Sequence, residues 1–239
     1  MKTSNNTVLI TGGATGIGFA LAEKFHAAGN CVIVVGRNEA ALSNAAAALP
    51  GITTRVADIS VSADREKLVA EFSNVSILVN NAGIQNNTPL SEFSPADIEH
   101  ELNINFLAPA LLCRAFLPHL LKQNGAAIVN VSSGLALVPK QAAAIYCASK
   151  AALHSFSKTL RWQLEGTSVN VFEILPPLVD TAMTSGRGKG KISPAQLAEE
   201  FWQGFQSDKL EMLIGKTKLL SIINRLLPSV AERIMRDGL

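Results

Sequence analysis

The sequence predicts an α/β fold: a doubly wound parallel β-sheet of about seven strands with helices on both faces. Three observations predict it. Short β-branched runs alternate with longer helix-patterned stretches, the connections between them are short, and the first apolar run ends in a glycine cluster that leads straight into a helix. Runs that are apolar at nearly every position read as strands buried on both faces, the mark of a parallel sheet. Strands alternating with helices over short loops imply right-handed βαβ crossovers.

In chain order, Val8-Leu9-Ile10, the run Cys31 to Val35, a third strand ending before Asp58, and the runs Val75 to Val79, Ala127 to Val131, Val169 to Ile174 and Glu211 to Ile214 supply the strands. Residues 19–25, 39–49, 64–72, 95–123, 147–165 and 194–205 carry helix formers at helical spacing. There is no internal repeat, low-complexity tract or Pro/Gly/Ser-rich linker, so residues 1–239 read as one domain, with 182–205 as a substrate loop or lid region within it.

The chain has 239 residues, 48% hydrophobic and 17% charged, long enough to bury a core without disulfides or metals. A formal charge of +2 gives no electrostatic reason to expect nucleic acid. Cys31, Cys113 and Cys147 are odd in number and form no CxxC pair, which suits a reducing compartment and points to the cytoplasm. The polar N-terminus lacks the apolar stretch of a leader peptide, and no run approaches the roughly 20 apolar residues of a transmembrane span. One aromatic stands out by count, because Tyr146 is the single tyrosine.

The first strand ends in Thr11-Gly12-Gly13-Ala14-Thr15-Gly16-Ile17-Gly18. Glycines there let the backbone turn tightly and let a pyrophosphate approach the amides at the helix N-terminus. A strand-to-helix turn can need glycine for geometry alone, so the cluster carries weight through its context. Farther on, Tyr146 and Lys150 are four apart on a helical stretch, so both project from one face. An ammonium beside a phenol favours the phenolate and brings it toward neutral acid-base chemistry. Ser133, at the end of a strand, raises this pair above an ordinary solvated lysine.

The spacing GxxxGxG, joined by Asp58-Ile59, Asn80-Asn81-Ala82-Gly83, Asn105, Ser133 and Tyr146-Cys147-Ala148-Ser149-Lys150 in that order, resembles the short-chain dehydrogenase/reductase family over residues 7 to about 182. The resemblance implies a Rossmann-like sheet and an enzyme of the carbonyl reductase or alcohol dehydrogenase type. It implies a cofactor held by Gly12, Thr15, Gly16, Ile17, Gly18, Asp58, Ile59, Asn80, Ala82, Gly83, Tyr146, Lys150, Pro176, Val179 and Thr181. By the same implication, Ser133 holds the substrate carbonyl, Tyr146 exchanges the proton, and Lys150 tunes the phenol and binds the nicotinamide ribose. Asn105 would order a water that relays protons to Lys150, unless it only kinks its helix beside Asn103.

Where an NAD enzyme usually carries an acid after the second strand, this chain has Gly36-Arg37-Asn38, which suits a 2′-phosphate and favours NADP(H) over NAD(H). The alternative is a solvated loop arginine. Pro177 replaces the family's glycine in Pro176-Pro177-Leu178-Val179-Asp180-Thr181, which stiffens or re-angles that loop. Gln85, Leu135, Leu137, Gln141 and Leu178 are expected in the pocket, giving a largely apolar cavity with two amides for a medium-sized carbonyl compound. The basic loop Arg187-Gly188-Lys189-Gly190-Lys191 reads as solvated and mobile, with a lid favouring an anionic group as the alternative.

His26, His100, His119 and His154 lack metal-ligand spacing, so no metal is expected. The segment 216–227 and the stretch Val230 to Met235 have an apolar stripe with basic flanks, suited to packing on the active-site rim and to a subunit contact, with docking to a membrane surface as the third use. A homodimer or homotetramer built partly from the helices holding Asn105 and Tyr146 is the assembly the resemblance implies. Two further functional readings stay open: a non-enzymatic NADP(H)-binding redox sensor, and a reductase of a membrane-associated, lipid-like carbonyl substrate.

Overall fold

A computed structural model describes residues 1–237. Seven parallel strands lie in the order β3-β2-β1-β4-β5-β6-β7: β1 (Thr7–Thr11), β2 (Cys31–Gly36), β3 (Thr53–Val56), β4 (Ile77–Asn80), β5 (Ala126–Val131), β6 (Val169–Leu175) and β7 (Glu211–Leu213). The helices are α1 (Gly16–Ala27), α2 (Glu39–Ala48), α3 (Ser62–Glu71), α4 (Pro95–Leu102), α5 (Ala108–Leu120), α6 (Ala144–Gln163), α7 (Pro194–Gln206), α8 (Thr217–Leu226) and α9 (Pro228–Arg236). Strand order reverses between β1 and β4, and in such sheets ligands bind beyond the carboxyl ends of the strands at that reversal.

Every strand residue of β4 and β5 is buried, as the uninterrupted apolar runs predict. Alternation still decides which layer each side chain enters. Val8 and Ile10 of β1 join one core cluster, with Phe25, Phe172, Phe201 and Phe205, while Leu9 between them joins the other, with Leu112, Phe116 and Leu120. Phe25 of α1 lies 5.9 Å from Phe201 and 5.6 Å from Phe205 of α7. Truncating such a ring to alanine costs about 3–5 kcal/mol. The expected lid region 182–205 therefore divides: residues from Pro194 onward form a helix whose aromatic face is core, and only the stretch before it can act as a lid.

The single helix expected over 95–123 is interrupted. Ser94 caps α4 by accepting from the Asp97 amide. Residues Asn103–Leu107 then widen into one π-helical turn before α5 begins. Such turns are rare in helices and frequent at functional sites, and this one carries Asn105. The C-terminal pair α8 and α9 packs Leu220, Ile223, Ala231 and Met235 against Leu135, Leu137 and Val138, forming a small third cluster. Leu219, Ile222, Leu226, Leu227, Val230 and Ile234 of the same segment remain exposed, so packing uses only half of its apolar stripe. Among the described residues no helix is long and apolar enough to cross a membrane.

Candidate active site

A cleft of about 600 Å³ opens at the carboxyl ends of the strands, lined from Gly12 and Arg37 at one end to Tyr146, Leu178 and Met235 at the other. At the first end, Gly12 (φ 62°) and Gly16 (φ 55°) adopt the left-handed backbone that favours glycine. A Cβ on Gly18 would collide with the Gly12 carbonyl and stand 2.5 Å from Asn81 Nδ2, so the third glycine permits the close return of helix on strand. Thr15 makes no side-chain cap at the start of α1, leaving the first-turn amides free for an anion. This cradle fits a pyrophosphate. Asn81 braces it, donating to the carbonyls of Thr11 and Gly12 at 3.0 Å each. Sequence reasoning overlooked that role, although Asn81 lies within the quoted Asn80-Asn81-Ala82-Gly83 run.

Arg37 and Asp58 face each other beside the glycine cradle, with Nη1 3.6 Å from Oδ2. Burial raises the Asp58 carboxyl, but the Ser60 hydroxyl and amide and the Arg37 charge outweigh it and hold the group below its ordinary value. The Arg37 side chain is 56% exposed, free to reach a phosphate. Gly12, Thr15, Gly16, Ile17, Asp58, Ile59, Ala82, Gly83, Pro176, Val179 and Thr181 also line the cleft. Asn80 does not. It is buried beneath the cleft, where it donates to Asn130 Oδ1 at 2.8 Å and so braces the sheet, because its side chain points down from the strand end. Gly18 likewise stands behind the lining and acts through packing.

At the other end the strand β5 delivers Ser133 and α6 delivers Tyr146 and Lys150, and all three line the cleft. Lys150 is 4% exposed. Its ammonium donates to the Val131 carbonyl at 2.9 Å and sits 5.8 Å from the Tyr146 ring centroid. Burial pushes this lysine down to about 8, against the pull of the Glu173 and Glu101 carboxylates. Burial pushes the Tyr146 phenol up to about 12, with the Ser133 hydroxyl pulling it back. The expectation of a phenol lowered by Lys150 is thus corrected: desolvation dominates the protein's own contribution. An adjacent positive charge in the cleft acts in the lowering direction.

Asn105 is fully buried in the π-turn. It accepts from the Ile84 amide at 2.9 Å, donates to the Ile84 carbonyl at 2.9 Å and donates to Ser149 Oγ at 3.1 Å. Its Oδ1 lies 3.1 Å from where a Cβ on Gly83 would stand, and Lys150 Nζ lies 3.5 Å from the same point, so both side chains approach Gly83. The helix departs from regular geometry at Asn105, and Asn105 and Lys150 both lie near Gly83. Two buried carboxylates near this group were missed from the sequence. Glu101, one turn before Asn105, accepts from the Asn86 amide and Nδ2 at 3.3 and 3.2 Å. Glu173 of β6 accepts from Ser132 Oγ at 2.6 Å and engages His154 Nδ1 at 2.8 Å. His154, Glu173 and Glu211 bring ligand atoms within 4.8 Å of one another, but Glu173 is already satisfied by Ser132 and His154. Cys113 and Cys147 are buried, as packing residues are.

Of the expected pocket residues, Gln85, Leu135 and Leu178 line the cleft. Gln141 and Leu137 do not. Gln141 stands exposed on a short helical turn just before α6, and Leu137 is drawn into the cluster under α9. Pro177 lines the cleft, with its ring facing Gly215. The basic loop is pinned rather than free: Arg187 donates to Gln85 Oε1 at 3.2 Å across the cleft, and Lys191 bonds Asp180 and the Thr184 carbonyl. Lys140, Met183, Lys216, Thr217, Leu220 and Met235 also line the cleft, and the last four arrive from sequence too distant for spacing to reveal.

A doubly wound sheet with an open glycine cradle at its reversal point, and a serine, a tyrosine and a lysine gathered in the same cleft, define a nucleotide-binding oxidoreductase of the Rossmann class. Residues 6–191 match the family model described as short chain dehydrogenase, and the chain belongs to the short-chain dehydrogenase/reductase family of oxidoreductases. It is 44% identical over 227 residues to an uncharacterised oxidoreductase, DltE, of Bacillus subtilis (strain 168), covering 89% of each chain. A short chain dehydrogenase from Burkholderia cenocepacia J2315 in complex with NADP superposes with a TM-score of 0.89 at 25% identity over 98% of each chain. A short chain dehydrogenase/reductase from Burkholderia phymatum in complex with NAD gives 0.87 at 24% identity, over 100% of this chain and 98% of that one.

Proposed function

We propose that this oxidoreductase transfers a hydride between NADP(H) and the carbonyl or secondary alcohol carbon of a small, largely apolar molecule. The observation that carries this reading is the presence of Ser133, Tyr146 and Lys150 in the cleft that also contains the glycine cradle. When bound, the nicotinamide supplies or accepts the hydride at C4. The chain's own residues do the rest. Ser133 Oγ holds the substrate oxygen by a hydrogen bond, and the Tyr146 hydroxyl donates a proton to that oxygen as the alkoxide develops, a contribution of about 10²–10⁴-fold for a positioned acid. Lys150, fixed by the Val131 carbonyl, holds positive charge near the phenol and would hold the nicotinamide ribose when cofactor binds. Asn105 keeps the Gly83 to Asn86 loop in place and offers the continuation of a proton path from Lys150.

Preference for NADP(H) is the finer part of the proposal. It is supported by Arg37, exposed just after β2, where Gly36-Arg37-Asn38 offers no carboxylate. Arg37→Glu is expected to weaken NADPH binding by at least tenfold while NADH binding weakens far less, read by quenching or energy transfer to the reduced cofactor. Equal affinities for NADPH and NADH in the unaltered protein contradict the preference. Three free cysteines accord with a cytoplasmic setting, and exposed Leu107, Leu121 and Trp162 around α5 and α6 support a homodimer or homotetramer, which light scattering tests. The redox-sensor alternative requires cofactor binding without turnover of any ketone, aldehyde, diketone or quinone.

A further inference from the structure

Three cations converge on the substrate end of the cleft from three separate elements. Lys140 comes from the segment between Ser133 and α6, Arg187 from the loop after Thr184, and Lys216 from the turn before α8, and all three line the cleft. Among the described residues none of them forms an ion pair, whereas Lys24, Arg37, Arg55, Lys67, Lys191 and Lys218 each do. Lys140 is half-buried, and burial first and the Arg187 charge next hold its ammonium below the ordinary lysine value. Placing like charges side by side at a partly desolvated site costs free energy unless an anion offsets it.

The loop geometry keeps these charges in place. The Arg187 guanidinium spans the cleft to Gln85, spending donors on one amide oxygen and a long contact to the Gln85 carbonyl at 3.5 Å, and a guanidinium has five N–H donors. Lys216 Nζ lies 2.6 Å from where a Cβ on Gly190 would stand, so the amine lies against the same loop. Beside Lys216, Thr217 also lines the cleft, with its hydroxyl buried against Gly134 and without a hydrogen-bond partner. The carboxylate on this side is Asp237, exposed at the end of α9; it and the three cations leave a positive balance. Between the cations and Tyr146 the walls are Leu135, Leu178, Leu220 and Met235.

We infer that the substrate is an apolar carbonyl compound with an anionic group, a carboxylate or a phosphate, that Lys140, Arg187 and Lys216 hold at the cleft mouth. The inference rests on the hydride-transfer reading above and specifies its substrate class. Arg187 is the bidentate anchor, since its planar fork matches either anion. Lys140 and Lys216 supply point charges on either side of it. The body of the molecule lies along the apolar walls, and its carbonyl reaches Ser133 and Tyr146.

The test uses straight-chain oxo acids of six to ten carbons, their methyl esters, and oxoalkyl phosphates of the same lengths. Two quantities are read on the intact protein: kcat/KM with NADPH, and the rise in melting temperature with oxidised cofactor saturating. At least one anionic series is expected to exceed the esters tenfold or more in kcat/KM and to give the larger thermal shift. The acid and phosphate arms tell the two anions apart. In Arg187→Gln and in Lys140→Gln the anion-to-ester ratio is expected to collapse toward one, while Arg187→Lys keeps part of it. Esters equal to or better than both anionic series in both readouts, or a ratio unmoved by the variants, overturns the inference. Tyr146→Phe separates this from the underlying reading: it is expected to stop turnover of every series while the thermal shift by anions persists.

Discussion

Replacing Lys150 with methionine should make the protein more stable and catalytically dead at the same time. The ammonium is 4% exposed, and burial lowers it from 10.5 to about 8. A lysine held at about 8 in the fold has its charged form disfavoured there by about 3 kcal/mol, at 1.36 kcal/mol per pH unit. Methionine fills similar space without the charge but forfeits the hydrogen bond to the Val131 carbonyl, a loss of about 1–2 kcal/mol for a buried acceptor. The net expectation at pH 7 is a gain of about 1–2 kcal/mol. Because the folded-state value is lowered, the wild type recovers its deficit as pH rises from about 8 to 10.5, where the lysine is neutral in both states. The variant's advantage therefore shrinks with pH and changes sign near the upper end. Urea denaturation of both proteins at pH 7 and pH 10 measures this directly. A variant less stable at pH 7, or a difference identical at both pH values, refutes the reasoning.

Gly18→Ala places a Cβ against the Gly12 carbonyl and Asn81 Nδ2, and the forced shift should cost about 1–3 kcal/mol of stability along with at least tenfold in cofactor affinity; wild-type melting and binding would contradict the close approach of helix to strand. His154 is raised above its ordinary value first by its hydrogen bond to Glu173, so the stability this pair contributes is present below about pH 6.5 and is lost as pH rises through the higher folded value. In Glu173→Gln the imidazole resonance should titrate at lower pH than in the wild type; an unchanged midpoint assigns the shift to another group.

Much of the fold was legible because its signals are local. Uninterrupted apolar runs marked the buried strands, and the glycine cluster after β1 marked the cradle with the positive φ values that demand it. Ser133, Tyr146 and Lys150 could be grouped from spacing because two ride one helix and the third ends a neighbouring strand. What spacing could not carry was depth. Asn80 and Gln141 sit in the right stretches of sequence, yet one points below the cleft and the other into solvent. Desolvation, which sets the protonation of Tyr146 and Lys150, is a property of the packed site and has no sequence signature. Glu101 and Glu173 read as ordinary charged residues on a helix and a strand until the fold buries both. The basic loop read as mobile because its partners, Gln85 and Asp180, come from other parts of the chain. The π-turn at Asn103 to Leu107 likewise has no propensity signal, since its residues fit a regular helix equally well.

In the proposed reaction Tyr146 protonates a carbonyl oxygen as a hydride arrives at its carbon. The most direct measurement follows NADPH carrying deuterium at both C4 positions through reduction of a ketone, comparing the wild type with Tyr146→Phe. Deuterium is expected at the carbinol carbon of the product, with turnover reduced by at least about a hundredfold in the variant and cofactor affinity largely kept. Product without deuterium at that carbon, or a variant that turns over at the wild-type rate, would contradict it.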